Sequence, residues 1–356
     1  MKDQEYQKAY DYYLDCAVKD TSNYYCIEQA GLAAYRMGSM KKAKDLFHKI
    51  ENKSSFFKSS AIYLANIYEQ EEHIPRAIKY NIRLRDSFPD NALYHRKLGG
   101  LLMKANLPME AFPEYAEALK LNPEDITTIK GVAELFINNN QLEDADSLLR
   151  VGLELDSLNI GLNYLFARNF YKAKEYDSTA FVLWKMRGLV DFPNYYSKML
   201  GYSFLQIDSV DKAIFYLEKS LVNEGDPEFA HYYLGNAYEL KGDLVSAVYH
   251  FDKAIDSGVS KGVHLYYRNK ARILHDENDL GEAIKAYEWS YRLNPDPVLL
   301  YYLGSASDKY YKDKNIAIRY YEKYIRSSHD EPAYKKYAAQ RVRYLKEMRH
   351  QESAQN

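Results

Sequence analysis

Residues 228 to 255 read EFAHYYLGNAYELKGDLVSAVYHFDKAI, and this stretch decides the architecture of the chain. Apolar and small residues recur at helical spacing on both sides of Lys241, Gly242 and Asp243, which predicts two amphipathic helices with a tight break between them. Leu234, Gly235 and Tyr238, then Ala247, Phe251 and Ala254, stand where one helix can lie against an antiparallel neighbour. The small residues mark the lines of closest approach, because a longer side chain there would hold the backbones apart.

The same punctuation runs along the chain. The small position of the second helix recurs at Ala9, Ala43, Ala77, Ala111, Ala145, Thr179, Ala213, Ala247, Ala283 and Ala317, at intervals of 34 residues for seven steps, then 36, then 34. The first helices repeat a matching small position at Gly31, Ala65, Gly99, Ala133, Ala167, Gly201, Gly235, Ala271 and Gly304. Four residues after the ladder come bulky residues such as Phe47, Tyr115, Leu217, Phe251 and Tyr321, expected to fill the next groove, with Asn81 the exception. Pro89, Pro123 and Pro295 each end a second helix, where proline can no longer continue one.

This order of large, small and aromatic positions resembles the tetratricopeptide repeat (TPR), whose period is about 34 residues. The resemblance implies an all-α, right-handed superhelical solenoid. Residues 1–23 are expected to be a half repeat consisting of a second helix only, residues 24–331 nine helix pairs, and residues 332–356 a capping helix and tail. A chain that begins in mid-repeat leaves open whether Met1 is the native start. Two irregularities stand out: DSGVSKG lengthens one inter-repeat loop by two residues, and SDKYYKDKN holds one extra residue. Insertions in such arrays fall in loops, often on a functional face, although a drifted turn is the commoner meaning.

Composition narrows the function. Lys plus Arg number 48 against 50 Asp plus Glu, so the formal charge of -2 argues against whole-surface attraction to nucleic acid or anionic membrane. No apolar run is long enough to span a bilayer, and MKDQEYQKAYDYY has no apolar signal core, so membrane association is expected only through a partner or a missing anchor. The 37 tyrosines suit shallow helix pairs and binding grooves, since each packs a ring and keeps a hydroxyl wet. Cys16 and Cys26 lie near facing ends of two helices and could pair in an oxidising compartment; two buried thiols are the expected reading. The composition is compatible with a cytoplasmic protein or with a bacterial periplasmic one whose signal has been removed.

No catalytic or metal-binding constellation is present: HExxH, CxxC, GxSxG and Walker loops are absent, and the nine histidines are scattered, so no cofactor, metal or small-molecule substrate is expected. What remains is a surface. First helices of TPR arrays line a concave groove, and the resemblance projects onto it Tyr35, Arg36, Tyr63, Asn66, Arg96, Lys104, Lys130 and Glu134. The stretch expected to carry binding comprises Tyr164, Arg168, Tyr171, Tyr195, Lys198, Tyr202, Phe229, Tyr232, Asn236, Arg268, Asn269 and Arg272. Aromatic and basic groups of this kind suit an extended peptide with acidic or carboxylate groups.

TPR domains that clamp a chaperone tail use five residues, of which only Asn236 and Asn269 match here; Tyr232 stands in a lysine place and Leu299 and Leu303 in the third-helix places. Within residues 332 to 350, Lys335, Lys336, Arg341, Arg343, Lys346 and Arg349 face only Glu347, which reads as a charge-rich cap before it reads as a site for an anionic partner. The expectation is a non-catalytic protein-binding scaffold, an assembly subunit of a bacterial envelope or secretion complex. An RNA-binding helical solenoid and an accessory subunit of an enzyme are the alternatives.

Overall fold

A computed structural model describes residues 2–188, 193–222, 227–327 and 331–355; Met1 and His329 lie outside them. Among the described residues there are twenty α-helices and no strand. The chain forms two compact units, Met1–Ala173 and Lys174–Asn356, and the border falls inside the repeat that begins near Ile160.

The first unit holds α1 (Lys2–Lys19), α2 (Tyr24–Arg36), α3 (Met40–Ile50), α4 (Phe57–Gln70), α5 (Ile74–Ser87), α6 (Ala92–Lys104), α7 (Pro108–Leu121), α8 (Ile126–Asn138), α9 (Leu142–Leu155) and α10 (Ile160–Lys172). The second holds α11 (Tyr176–Met186), α12 (Asn194–Gln206), α13 (Val210–Ser220), α14 (Glu228–Lys241), α15 (Leu244–Ser257), α16 (Val263–Asp276), α17 (Leu280–Leu293), α18 (Val298–Tyr310), α19 (Asn315–Ile325) and α20 (Pro332–Gln355). Within each unit, helices joined by a tight turn, such as α6 with α7 and α14 with α15, lie side by side, and successive pairs pack on one another.

The ladder is the inner seam of these pairs. Ala43, Ala77, Ala111, Ala145, Ala213, Ala247, Ala283 and Ala317 are wholly buried. Thr179 is buried too, and its hydroxyl donates to the Glu175 carbonyl oxygen at 2.9 Å, which is how a polar residue fits the position. The bulky residues four positions on lie first on the small residue of their own repeat. A Cβ on Gly235 would come within 2.6 Å of the Phe251 ring, and one on Gly304 within 2.7 Å of the Tyr321 ring. Tyr115 reaches further, against Gly99 of its own repeat and Gly131 of the following one, so here the ring also occupies the next groove. Asn81 is buried and its amide donates to the Ala77 carbonyl oxygen at 2.9 Å, while Tyr80 beside it is buried as a ring.

The turn inside each repeat has a recurring geometry. Gly38, Glu72, Asn106, Asn140, Lys174, Asp208, Gly242 and Asn278 occupy one frame of the repeat and have φ between 56° and 84°. After α14 the Asp243 N–H donates to the Tyr238 carbonyl oxygen at 2.9 Å and the Gly242 N–H to that of Glu239 at 3.0 Å. This closes the helix end in a Schellman turn, whose left-handed residue these positions supply.

One expectation changes. Cys16 and Cys26 form a disulfide that ties α1 to α2, their Cα atoms 6.0 Å apart, so they are not two buried thiols. The lengthened loop after α15 is anchored from within: buried Glu228 accepts the N–H groups of Val259 at 2.9 Å and Ser260 at 3.2 Å, the Tyr266 hydroxyl at 2.7 Å, and the Ser260 hydroxyl. The basic residues of α20 also find acids outside their own helix. Arg341 pairs with buried Asp308 at 2.5 Å and Lys346 with Glu322 at 2.6 Å, leaving Arg343 for Glu347. The helix is a cap held by charge and by Ala338, Val342 and Leu345 against Ala317, Ile318, Tyr321 and Tyr324.

Candidate peptide-binding groove

Within the second unit, α12, α14 and α16 present one face of side chains around a cleft of about 470 Å³. Five of the projected residues line it: Tyr202, Tyr232, Asn236, Asn269 and Arg272. They meet because Gly201 and Gly235 let the first helices settle onto Leu217 and Phe251, turning the residues beside them into the cleft.

Aromatic rings build one wall. Tyr202 and Tyr233 lie 4.4 Å apart between ring centroids, and Tyr176 meets Tyr202 edge-on at 5.6 Å. Burial pushes the Tyr202 hydroxyl well above its ordinary pKa, and its hydrogen bond with Tyr176 adds to the effect. Tyr232 rests against Tyr266 at 4.6 Å and Phe251 at 6.1 Å, so its ring is fixed from beneath by the core.

Amides and charges form the floor. The Asn269 side-chain N–H donates to the Asn236 side-chain oxygen at 3.2 Å. Arg272 is held by Glu239 in an ion pair; burial lowers its pKa most of any single cause, but the hydrogen bond and charge of Glu239, with the charge of Asp276, together outweigh it and raise the pKa. Tyr233 and Glu239 are cleft residues that the projection missed.

The remaining projected residues are not part of this cleft. Tyr164, Arg168 and Tyr171 belong to the first unit, where Arg168 pairs with Glu134 at 3.3 Å and reaches Asn138. Tyr195 is exposed with its ring edge on Tyr196, Lys198 is half-buried, and Phe229 meets Tyr233 at 6.3 Å. Arg268 is exposed and has no carboxylate partner among the described residues. Leu299 and Leu303 are buried, so the third-helix places of a chaperone-tail clamp are core positions here.

The expected reservoir of free cations is smaller than the sequence suggests. Arg96 pairs with Asp125 at 3.0 Å and Lys104 with Glu69 at 2.5 Å, as Arg168 and Arg272 pair with their own acids. The signal was present: the partners of Arg272, Arg168 and Lys104 lie 33, 34 and 35 residues earlier, one repeat back on the neighbouring first helix. Among the described residues no group of three or more His, Cys, Asp or Glu could hold a metal ion, and no helix is long and apolar enough to cross a membrane.

A family model for the tetratricopeptide repeat matches residues 64–126. The chain is similar to the solved structure of a tetratricopeptide repeat protein from Parabacteroides merdae, at 12% identity, covering 70% of this chain and 98% of that one with a TM-score of 0.51. It is also similar to YrrB, a TPR protein with an unusual peptide-binding site, at 19% identity over 52% of this chain and 94% of that one, TM-score 0.47. Pseudomonas aeruginosa pilF aligns at 19% identity over 62% of this chain and 96% of that one, TM-score 0.48. No curated protein matches the chain in sequence. Residues 64–126 match the tetratricopeptide repeat, and with its ladder of buried small residues and its paired helices the chain has an all-α, TPR-type solenoid fold.

Proposed function

We propose that the chain is a non-catalytic scaffold that holds an extended peptide segment of a partner protein in the cleft of α12, α14 and α16, as an assembly subunit of a bacterial envelope or secretion complex. The Asn236–Asn269 pair carries the reading. Once the two amides bond to each other, three N–H donors and three acceptor lone pairs remain, so each amide keeps at least one donor and one acceptor whichever way it is turned. An extended backbone offers the complementary C=O and N–H, and tyrosine walls contribute contact area at low entropy cost.

Charge has a smaller part than the sequence suggests. Arg272 and Glu239 cancel within the cleft, so a preference for acidic peptides rests on exposed Arg268. The Cys16–Cys26 bond supports an extracytoplasmic setting, since disulfides persist in oxidising compartments.

The test is selection of displayed 12-residue peptides on the full chain, followed by calorimetry of the enriched sequence. Removing both amides with N236A/N269A forfeits two hydrogen bonds of about 0.5–1.5 kcal/mol each, a loss in affinity of roughly tenfold. An enriched peptide that binds this variant and Y202A/Y232A as tightly as the original chain would place the interface elsewhere.

A further inference from the structure

The second helices carry a separate pattern on the side away from the cleft. Phe181 on α11, Phe215 on α13 and Tyr249 on α15 each stand two residues past the ladder positions Thr179, Ala213 and Ala247, and are therefore spaced by one repeat. They are 68%, 60% and 55% exposed. In the other repeats this position holds Asp11, Asp45, Lys79, Pro113, Ser147, Lys285 and Arg319, none of them aromatic. Helix formation does not ask for aromatic rings there, and leaving large rings in water gains the fold nothing.

A charge pattern runs beside the rings. Four residues later on each helix, one turn along the same face, come Lys185, Lys219 and Lys253. All three are exposed and none has a carboxylate partner among the described residues. Four residues before the rings stand Asp177, Asp211 and Val245, of which Asp211 is engaged by Lys241 at 2.8 Å. Across the three helices the surface therefore reads as an aromatic centre with a lysine edge, Lys253 lying over the Tyr249 ring at 5.7 Å, and an opposite edge of Asp177, Asp211 and Val245.

We propose that this face of the second unit docks an amphipathic helix of a partner protein, its apolar stripe on Phe181, Phe215 and Tyr249 and an acidic flank along Lys185, Lys219 and Lys253. Like positions on successive repeats lie on the order of 10 Å apart, so three rings span about 20 Å, the length of roughly fourteen helical residues. An apolar stripe recurring at i, i+3, i+4 and i+7 supplies knobs at that reach. The three lysines, none with a carboxylate partner among the described residues, set the polarity of the flank that fits. An anionic membrane matches less well, because a uniformly negative plane would meet Asp177 as well as the lysines. The site lies on second helices and is independent of the cleft, which lies on first helices.

The test uses the full chain and two labelled 18-residue helical peptides with one leucine stripe, flanked by glutamates in one and lysines in the other, read by fluorescence anisotropy. The glutamate peptide should bind. F181S/F215S should weaken it at least tenfold, and K185E/K219E/K253E should reverse the preference towards the lysine peptide, with N236A/N269A unchanged in both. Circular dichroism spectra matching the original chain show that these surface substitutions leave the helices intact. The proposal is overturned if the glutamate peptide does not bind, or if both sets of variants bind it unchanged. It is equally overturned if phosphatidylglycerol vesicles bind the chain where the peptide does not, or if sedimentation shows a dimer that F181S/F215S dissociates.

Discussion

The Nδ1 atoms of His231 and His250 lie 2.9 Å apart between α14 and α15, close enough for a single proton to bridge them. A second proton would set two cations side by side. Burial, and for His231 the charge of Lys253, holds both below the ordinary imidazole pKa; His250 is pushed down to about 4 by burial and by His231. The Tyr238 ring lies flat on His250 at 5.3 Å and seals the site. In the unfolded chain both histidines protonate near 6.5, whereas in the folded chain they resist, so their contribution is full above pH 6.5 and is lost as pH falls towards 4. Thermal midpoints should therefore fall between pH 7 and pH 5, and His250→Asn should flatten that slope. Parallel slopes for the two proteins would exclude the pair as its source.

Glu228 provides a second, lower window. Burial alone would raise its carboxyl pKa, but hydrogen bonds from Ser260, Tyr266 and the Val259 N–H outweigh it and hold the group below its ordinary value. Its contribution is thus full above about pH 4.5 and is lost as pH falls through the folded value. Glu228→Gln keeps the shape and removes the charge that the two backbone N–H groups bind, at a cost of about 1–3 kcal/mol. The urea midpoint should drop accordingly, and limited proteolysis should show new cleavage between 257 and 263. Unaltered cleavage would mean that something other than the carboxylate fixes the loop.

Much of this was legible in the residues. The ladder from Ala9 to Ala317 contains the seam of every pair, because close backbone approach restricts side-chain size and leaves a mark at each repeat. The left-handed turns were half hidden. Gly38 and Gly242 announce them, but Asn106, Asn140, Asp208 and Asn278 read as ordinary polar turn residues, and Glu72 and Lys174 give no local hint. In the groove, Asn236 and Asn269 were legible by frame, whereas the pairing of Arg272 with Glu239 depends on a residue one repeat away. Phe181, Phe215 and Tyr249 were equally visible as a period, but a projection confined to first helices passes over them.

The left-handed frame makes a prediction that runs against the usual effect of glycine. Glu72 sits at φ 58°, where an L-residue loses roughly 1–2 kcal/mol, more than the 0.5–1 kcal/mol of extra unfolded-state freedom that glycine brings. Glu72→Gly should stabilise the first unit by roughly 0.5–1 kcal/mol, read as a higher urea midpoint. The reverse holds at Gly242, φ 84°, where no atom lies within 4 Å of an added Cβ, so Gly242→Ala should destabilise through backbone conformation alone. If both substitutions moved stability in the same direction, the turn would not be governed by φ.

Gly235 and Phe251 couple the seam to the groove. A methyl at Gly235 would lie 2.6 Å from one ring carbon of Phe251 and 2.7 Å from another, so the ring must move, and overpacking of this kind costs about 1–3 kcal/mol. Phe251 also supports Tyr232, so its displacement shifts a cleft wall as well as the core. Gly235→Ala should therefore lower both the urea midpoint and the affinity for a peptide selected on the cleft. Trimming the ring with Phe251→Leu in the same chain should restore part of the stability, since the methyl then has room. Contacting residues depart from additivity by about 0.5–3 kcal/mol, so the double variant should be more stable than the sum of the two single losses. Strict additivity would show that the two side chains do not share the space the ladder assigns them.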